Sequence, residues 1–458
     1  MNQTLRQMQS GRAMNPTELE WLDRRVVWHG FTQMAEYQPL VIERGEGNWL
    51  VDIHGRRILD GVSSLWCNLH GHNHPRLNQA ITAQLGRVAH VTSLGMGCDT
   101  TATLAGRLVE IAPGNLPHVF FSSDGSSAVE AAIKLAFQYW HQSGAPQRTR
   151  FVALRSAYHG DTTGTVSLGG VEHFHRMFSP LLFEVLRGPF PTCYRTAAGS
   201  DPKDLCATYL DELETVLDRH AAEVAAIVIE PLVQGAAGLI VHPPGFLAGV
   251  RRLADRYGCL LICDEVATGF GRTGKMFASE HEDVVPDLLC VGKGLTGGYL
   301  PMAATMAASK IWDAFLGPIP AGRQFFHGHT FSGNPLAAAA AIASLDLFAS
   351  EQILSHLPPK ISRLQQKLAP LDDHPHVGDI RQCGMMIGIE LVADRLRKTP
   401  FPSDLRRGAG VCQRALQRGV WIRPLGDVLV LMPPLGITDQ EIDLLVETVI
   451  LSIEAEFS

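Results

Sequence analysis

Lys293 in DLLCVGKGLTGGYLP follows directly on an apolar, strand-like run. Asp264 stands about thirty residues earlier, at the end of the equally apolar CLLICDEVATGFGRTG. A lysine at such a strand end is partly desolvated, which lowers its pKa and yields the free amine that Schiff-base chemistry needs. A carboxylate at a buried strand end is costly unless it has a partner, and a protonated pyridine nitrogen is a suitable one. Amine and acid together suit a cofactor that carries an aldehyde on a pyridine ring, which is the chemistry of pyridoxal phosphate. A surface lysine in a glycine-rich turn is the plainer reading of Lys293 alone, and Asp264 weighs against it. Lys275, the rival lysine, sits in GRTGKMFASEH, which reads as an exposed loop.

Other residues could complete such a site. FFSSDGSSAVEAAIKLAFQYW reads as strand, Gly-Ser turn and helix, and Ser127 and Glu130 have the spacing of a capping box. Free N–H groups and the positive end of the helix dipole make that start an anion site, with Gly125 and Ser126 as phosphate ligands. An ordinary capped helix fits as well. Tyr158, followed by His159 in SAYHGD, could stack on a flat ring or be a half-buried tyrosine. FFHGHTFSGNPLAAAAA places His327, His329 and Thr330 before an alanine-rich helix, and Thr330 could reach a phosphate or belong to a simple loop. Arg423, between apolar stretches in GVWIRPLGDVLVLMPP, suits a bidentate carboxylate contact or a structural ion pair. His70, His72 and His74 in LHGHNHP suggest zinc, but no further ligand cluster lies near them in sequence, so a polar cleft loop without metal is expected.

The elements that must hold these residues alternate. Between residues 75 and 345, the strand candidates HVFFSS, RFVALRS, AAIVIEP, CLLICDE, DLLCVG and AATMAAS are separated by helices with apolar residues at helical spacing. This predicts an α/β fold with a mainly parallel sheet covered on both faces, whose ligands bind beyond the carboxyl ends of the strands. Residues 1–74 begin with a polar stretch expected to be a frayed arm, with Met14 a candidate alternative start. A short helix from Thr17 and a hairpin turned at His54-Gly55 in GNWLVDIHGRRILDG follow. Residues 346–458 read as a smaller α+β domain, which the N-terminal hairpin is expected to join.

Composition bounds the rest. A chain of 458 residues exceeds the usual single core. Hydrophobic residues at 46% and charged residues at 19% suit a globular enzyme. The 39 basic and 46 acidic residues, net −7, argue against nucleic-acid or anionic-membrane binding. No apolar run is long enough to span a bilayer, and the start lacks a secretory core. Nine scattered cysteines without a CxxC favour a reducing cytoplasm. No GxGxxG follows an early strand, which disfavours a nicotinamide dehydrogenase.

Taken together, YHGD, CDEVATGFGRTG, VGKGLTGG and HGHTFSGNP, which occur in this order over most of the chain, resemble the class III aminotransferases. These are pyridoxal-phosphate enzymes of fold type I. WHGFTQM, SSLWCNLHGH and VWIRPLGDVLVLMPP resemble the branch that aminates 8-amino-7-oxononanoate in biotin synthesis. The resemblance implies a seven-stranded large-domain sheet and a homodimer with shared sites. It implies that Lys293 joins the cofactor and shuttles protons, and that Asp264 pairs with the ring nitrogen. Gly125 and Ser126 would hold the phosphate, helped by Thr330 from the other subunit, and His329 would also bind the cofactor. Tyr158 would stack on the ring. Phe31, Trp66, Tyr158, Lys293 and Gly328 would line the substrate cleft, and Arg423 would take the carboxylate of the keto acid. Members that use adenosylmethionine usually show Trp-His-Pro-Tyr where this chain has His29-Gly30-Phe31, a Trp pair where Leu65-Trp66 stands, and Gly-Pro-Thr where Gly328-His329-Thr330 stands. Phe31 lacks a hydroxyl, and Leu65 removes an aromatic wall for a sulfonium. A related branch is thought to use lysine, so the amino donor is adenosylmethionine or lysine. Other class III transaminases, a glutamate-semialdehyde-type mutase and an idle scaffold are the rivals.

Overall fold

The computed structural model describes residues 14–196 and 201–458. Most of the expected N-terminal arm lies outside these residues. The first helix among the described residues, Pro16–Arg25, starts one residue before the expected Thr17. Asn15 caps it in a capping box with Glu18, and proline occupies the first turn.

A seven-stranded sheet forms the centre. Its spatial order is His118–Ser122, Ala303–Ala307, Leu288–Val291, Leu260–Asp264, Val224–Ile229, Arg150–Leu154 and Leu186–Gly188. Leu260–Asp264 runs parallel to both its neighbours, and Ala303–Ala307 is antiparallel to both of its own. The strands Val224–Ile229, Leu260–Asp264 and Leu288–Val291 are buried along their whole length, as a sheet covered on both faces requires. Helix Gly125–Gln142 packs on one face through Ala128, Val129, Ala132 and Ile133. Helix Phe246–Arg256 covers the other through Phe246, Leu247 and Val250. The alanine-rich helix Pro335–Ser350 is buried nearly all round and packs closely against helices Pro75–Leu85 and Asp99–Ile111.

Two smaller sheets flank this centre. The hairpin Trp49–Asp52/Arg57–Asp60 turns at His54-Gly55 as expected, with Ile42–Glu46 on one edge. The other edge is Val420–Trp421, paired parallel to Arg57–Asp60, so the C-terminal segment and the N-terminal hairpin share a sheet. The expected single strand VWIRP therefore divides. Arg423–Leu425 joins a second sheet with Val428–Leu431, Met386–Leu391 and Val377–Cys383. Buried Ile422 marks the break and packs beside Gly61.

The loops of the two regions are pinned to each other. Arg272, fully buried, donates to the carbonyls of Pro433 (2.7 Å) and Asn68 (2.9 Å). Gly298 has φ +84°, and a Cβ there would lie 2.7 Å from the Asn68 nitrogen and the Cys67 carbonyl carbon. Among the described residues no single helix is long and apolar enough to cross a membrane. Gly298→Ala is expected to cost on the order of 2 kcal/mol through both the backbone conformation and the clash, read as a lowered urea midpoint.

Candidate active site

Four strand ends converge. Leu288–Val291 delivers Lys293, Leu260–Asp264 delivers Asp264, Arg150–Leu154 leads to Tyr158, and His118–Ser122 leads to Gly125. Gly292, which precedes Lys293, lies beside the helix start at Gly125. A Cβ at Gly292 would lie 3.4 Å from Val266 Cγ1 and 3.5 Å from the Gly125 Cα. The helix start at Gly125 and the lysine thus border one space. Lys293 adopts φ 39°, a left-handed conformation that is disfavoured for a residue with a side chain. Such strain gathers where function constrains the backbone.

The Lys293 amine lies 4.8 Å from the centroid of the Trp66 ring. Burial holds its pKa below that of ordinary lysine, against the pull of Asp264 and Glu230. Asp264 is buried. Its Oδ2 accepts from His159 Nδ1 at 2.8 Å and its Oδ1 from the Val266 N–H at 3.1 Å. A carboxylate only accepts, so Nδ1 carries the proton. His159 Nε2 is buried without a partner.

The helix Gly125–Gln142 is capped by Asp124, which accepts from the Ser127 N–H at 2.9 Å. This corrects the expected Ser127–Glu130 capping box. Glu130 instead accepts from Thr162 Oγ1 (2.7 Å) and the Gly164 N–H (2.8 Å). Asp124 takes the cap because the helix begins at Gly125, three residues earlier than the box would place it. The first N–H groups, those of Gly125 and Ser126, have no acceptor within the helix. The Asp161 N–H donates to Ser126 Oγ at 3.2 Å, which folds the Tyr158–Asp161 loop around this start.

Tyr158 is half-buried. Its N–H donates to Glu230 Oε1 (3.0 Å) and its hydroxyl to Asp161 Oδ2 (2.7 Å). Its ring lies nearly parallel to His175, with centroids 6.1 Å apart. Phe174 meets Tyr158 edge-on at 6.5 Å and Phe31 edge-on at 5.3 Å, which ties the exposed Phe31 to the cleft. Lys293, Asp264, Gly125, Ser126, Tyr158 and Trp66 are therefore brought together, with Phe31 one ring away. Arg423 opens a strand of the C-terminal sheet two residues after Trp421, the pairing partner of Asp60. Among the described residues it has no ion pair or side-chain hydrogen bond. Gly328 and Thr330 are exposed on the loop before helix Pro335–Ser350, and His329 lies 5.1 Å from His327. The three histidines of LHGHNHP go separate ways: His70 to Ser344, His72 to Asp60 and His74 toward Glu351. No group of metal-ligating side chains forms among the described residues.

Sequence reading missed Glu230 and Phe174. Glu230 is buried, accepts from the Tyr158 and Gly235 N–H groups, and is pushed up to about 7 by burial. It ends AAIVIEP as Asp264 ends CLLICDE, so the same signal marked it. Phe174 carries no such signal, because only tertiary contact brings it to Tyr158.

An amine, a buried carboxylate and a free helix start around one space fit an aldehyde-bearing, phosphorylated pyridine. The comparisons agree. The aminotransferase class-III family model matches residues 32–453. Adenosylmethionine-8-amino-7-oxononanoate aminotransferase of Nitratidesulfovibrio vulgaris is 54% identical over 95% of this chain and 82% of its own. The enzyme of the same name from Geobacter sulfurreducens is 52% identical over 93% of this chain and 95% of its own. The crystal structure of the Methanocaldococcus jannaschii enzyme of that name superposes with a TM-score of 0.91 at 42% identity, covering 96% of this chain and 99% of its own. An (S)-enantioselective omega-transaminase from Thermomicrobium roseum superposes with 0.94 at 35% identity, covering 98% and 100%. The chain belongs to the class III aminotransferases and is an aminotransferase that works with pyridoxal phosphate.

Glu230 yields a test of the site's electrostatics. Its folded pKa lies above the ordinary value of 4.5, so the native state binds the extra proton. Its contribution is present at low pH and is lost as pH rises toward 7, by at most about 3 kcal/mol. The thermal midpoint of Glu230→Gln, compared with that of wild-type apoprotein, should improve between pH 5 and pH 8. A constant difference would contradict the burial.

Proposed function

We propose that this aminotransferase converts 8-amino-7-oxononanoate to 7,8-diaminononanoate, a step of biotin synthesis, with S-adenosylmethionine or lysine as the small-molecule amino donor. The observation that carries the reading is likeness along nearly the whole chain: 52% identity over 93% of it to a relative bearing that name. The cytoplasm is the proposed location.

Bound pyridoxal phosphate supplies an aldehyde that takes up the amino group and a pyridinium that draws electrons from the carbon losing its proton. The chain's own groups do the rest. Lys293 Nζ, whose pKa burial lowers, takes the proton from the donor carbon and would return it to the carbon on the far side of the transferred nitrogen. Asp264 holds the ring nitrogen protonated, and His159 and the Val266 N–H fix its two oxygens. Gly125 and Ser126 hold the phosphate with their N–H groups. Tyr158 and Trp66 bound the flat site, and Phe31 and Gly328 line the approach. Arg423 takes the distant carboxylate of the keto acid. A free, half-buried guanidinium suits that use, because a planar fork pairs best with a carboxylate. Anchoring a remote carboxylate orients the reacting carbonyl.

We also propose a homodimer in which His329 and Thr330 reach the partner's phosphate site. Their loop carries Phe326 (75% exposed) and Phe331 (62%), and Trp28, three residues before Phe31, is 89% exposed. Apolar rings left so open suit a covering subunit.

Arg423→Ala should raise KM for the keto acid at least about tenfold, as loss of a charged hydrogen-bonded pair implies. The donor half-reaction should change much less, and equal losses would contradict the assignment. In a second test, inactive Lys293→Ala subunits are mixed with weakened Thr330→Ala subunits. Activity above either parent is expected, since one hybrid site regains both residues. No recovery would place Thr330 in its own subunit's site or in none. The ω-amine transaminase reading, favoured by the Thermomicrobium roseum likeness, is separated by half-reaction spectra. A donor other than adenosylmethionine or lysine, with no reversal by 8-amino-7-oxononanoate, would support it instead.

A further inference from the structure

The turn that presents Trp66 to Lys293 has an unfavourable backbone. Ser63, Ser64 and Trp66 take φ values of 52°, 60° and 65°. Ser64, at φ 60° and ψ −74°, occupies the γ-turn region that residues with a side chain rarely enter. No glycine relieves the strain, so something must hold the segment there.

Asp60 does so. It ends the strand Arg57–Asp60 and is fully buried. Its Oδ2 accepts from the Ser64 N–H (2.7 Å), Ser64 Oγ (3.0 Å) and His72 Nε2 (2.9 Å). Its Oδ1 accepts from the Ser64 N–H (2.8 Å) and, at 3.4 Å, from the Val62 N–H. Ser63 Oγ adds a bond to the Met432 carbonyl (2.7 Å). A buried carboxylate is costly to desolvate, and here the strained turn and one histidine supply its donors. On the far side, a Cβ at Gly235 would lie 3.1 Å from Trp66 Cζ3, and Glu230 accepts from the Gly235 N–H. The indole is thus held between Gly235 and the Lys293 amine.

We infer that Asp60 is a positioning residue whose carboxylate fixes the Ser63–Trp66 turn so that the Trp66 ring lies over the amine of Lys293. The inference rests on the reading of Lys293 as the reactive amine. Asp60 makes no hydrogen bond or ion pair with Lys293, but its charge also acts on buried Arg272, which acts on the amine in turn, so the test separates an effect carried by the indole from one carried by charge.

The first readout uses apoprotein. Trinitrobenzenesulfonate labelling of Lys293, located by peptide mapping, is followed against pH. Asp264, Glu230, Cys67 and Arg272 also act on this amine, and Asp60 acts on Arg272, so a shift carried by Arg272 would persist in the Trp66→Ala background. Trp66→Ala is expected to shift the labelling midpoint by about half a unit or more. Asp60→Asn should shift it in the same direction, and the double variant should go no further than Trp66→Ala alone. The second readout is kcat/KM of the holoenzyme. Asp60→Asn should lower it about tenfold, with no further loss in the Trp66→Ala background. Wild-type values for Asp60→Asn, or losses that multiply in the double variant, would overturn the inference. If Asp60→Asn does not fold, Ser64→Ala removes a single donor to the same carboxylate. Its smaller shift must likewise vanish in the Trp66→Ala background, and persistence there overturns the inference. Wild-type protein that never labels at Lys293, or a Lys293→Ala variant with full turnover, would instead defeat the reading of the lysine.

Discussion

One amine in a dry setting, flanked by two buried carboxylates, is the constraint on which the site depends. Burial pushes the Lys293 ammonium toward losing its proton, and Asp264 and Glu230 pull the other way. Burial is the largest of these influences, and each carboxylate also has donors of its own. His159 and the Val266 N–H occupy Asp264, and the Tyr158 and Gly235 N–H groups occupy Glu230. A lowered lysine pKa favours an amine that can act as a base and a nucleophile.

The fold supplies this balance by bringing strand ends together. A sheet buried on both faces has its free carboxyl ends as the one polar edge of an apolar layer. Lys293, Asp264 and Glu230 stand at or just past such ends. The smaller sheets then close over that edge. Arg272 bonds to Asn68 and Pro433, and Val420–Trp421 pairs with Arg57–Asp60, so the segment carrying Trp66 is fixed from both sides. Strain at Ser63, Ser64, Trp66 and Lys293 lies along this seam.

Much of this was legible in the residues. Apolar runs with a charged residue at the end are rare, so CLLICDE and VGKG marked both the strands and the chemistry. Strand Leu186–Gly188 is too short to show a period, and Val377–Cys383 alternates too weakly. The false capping box at Ser127–Glu130 had the right spacing, but spacing alone cannot weigh Asp124 against Ser127. The split of VWIRP between two sheets depends on partners more than 350 residues away in sequence, as in the pairing of Trp421 with Asp60. For the same reason the roles of Phe174 and Asp60 could not be read in advance, because each acts through contacts that exist only in the folded chain.

The covalent attachment point is the most direct test. Purified holoenzyme is reduced with borohydride, digested and mapped for the pyridoxyl label. The expected result is one labelled peptide, DLLCVGKGLTGGYLP, modified at Lys293. A label at Lys275 or any other lysine, or none at all, would contradict the assignment of the reactive amine and everything built on it.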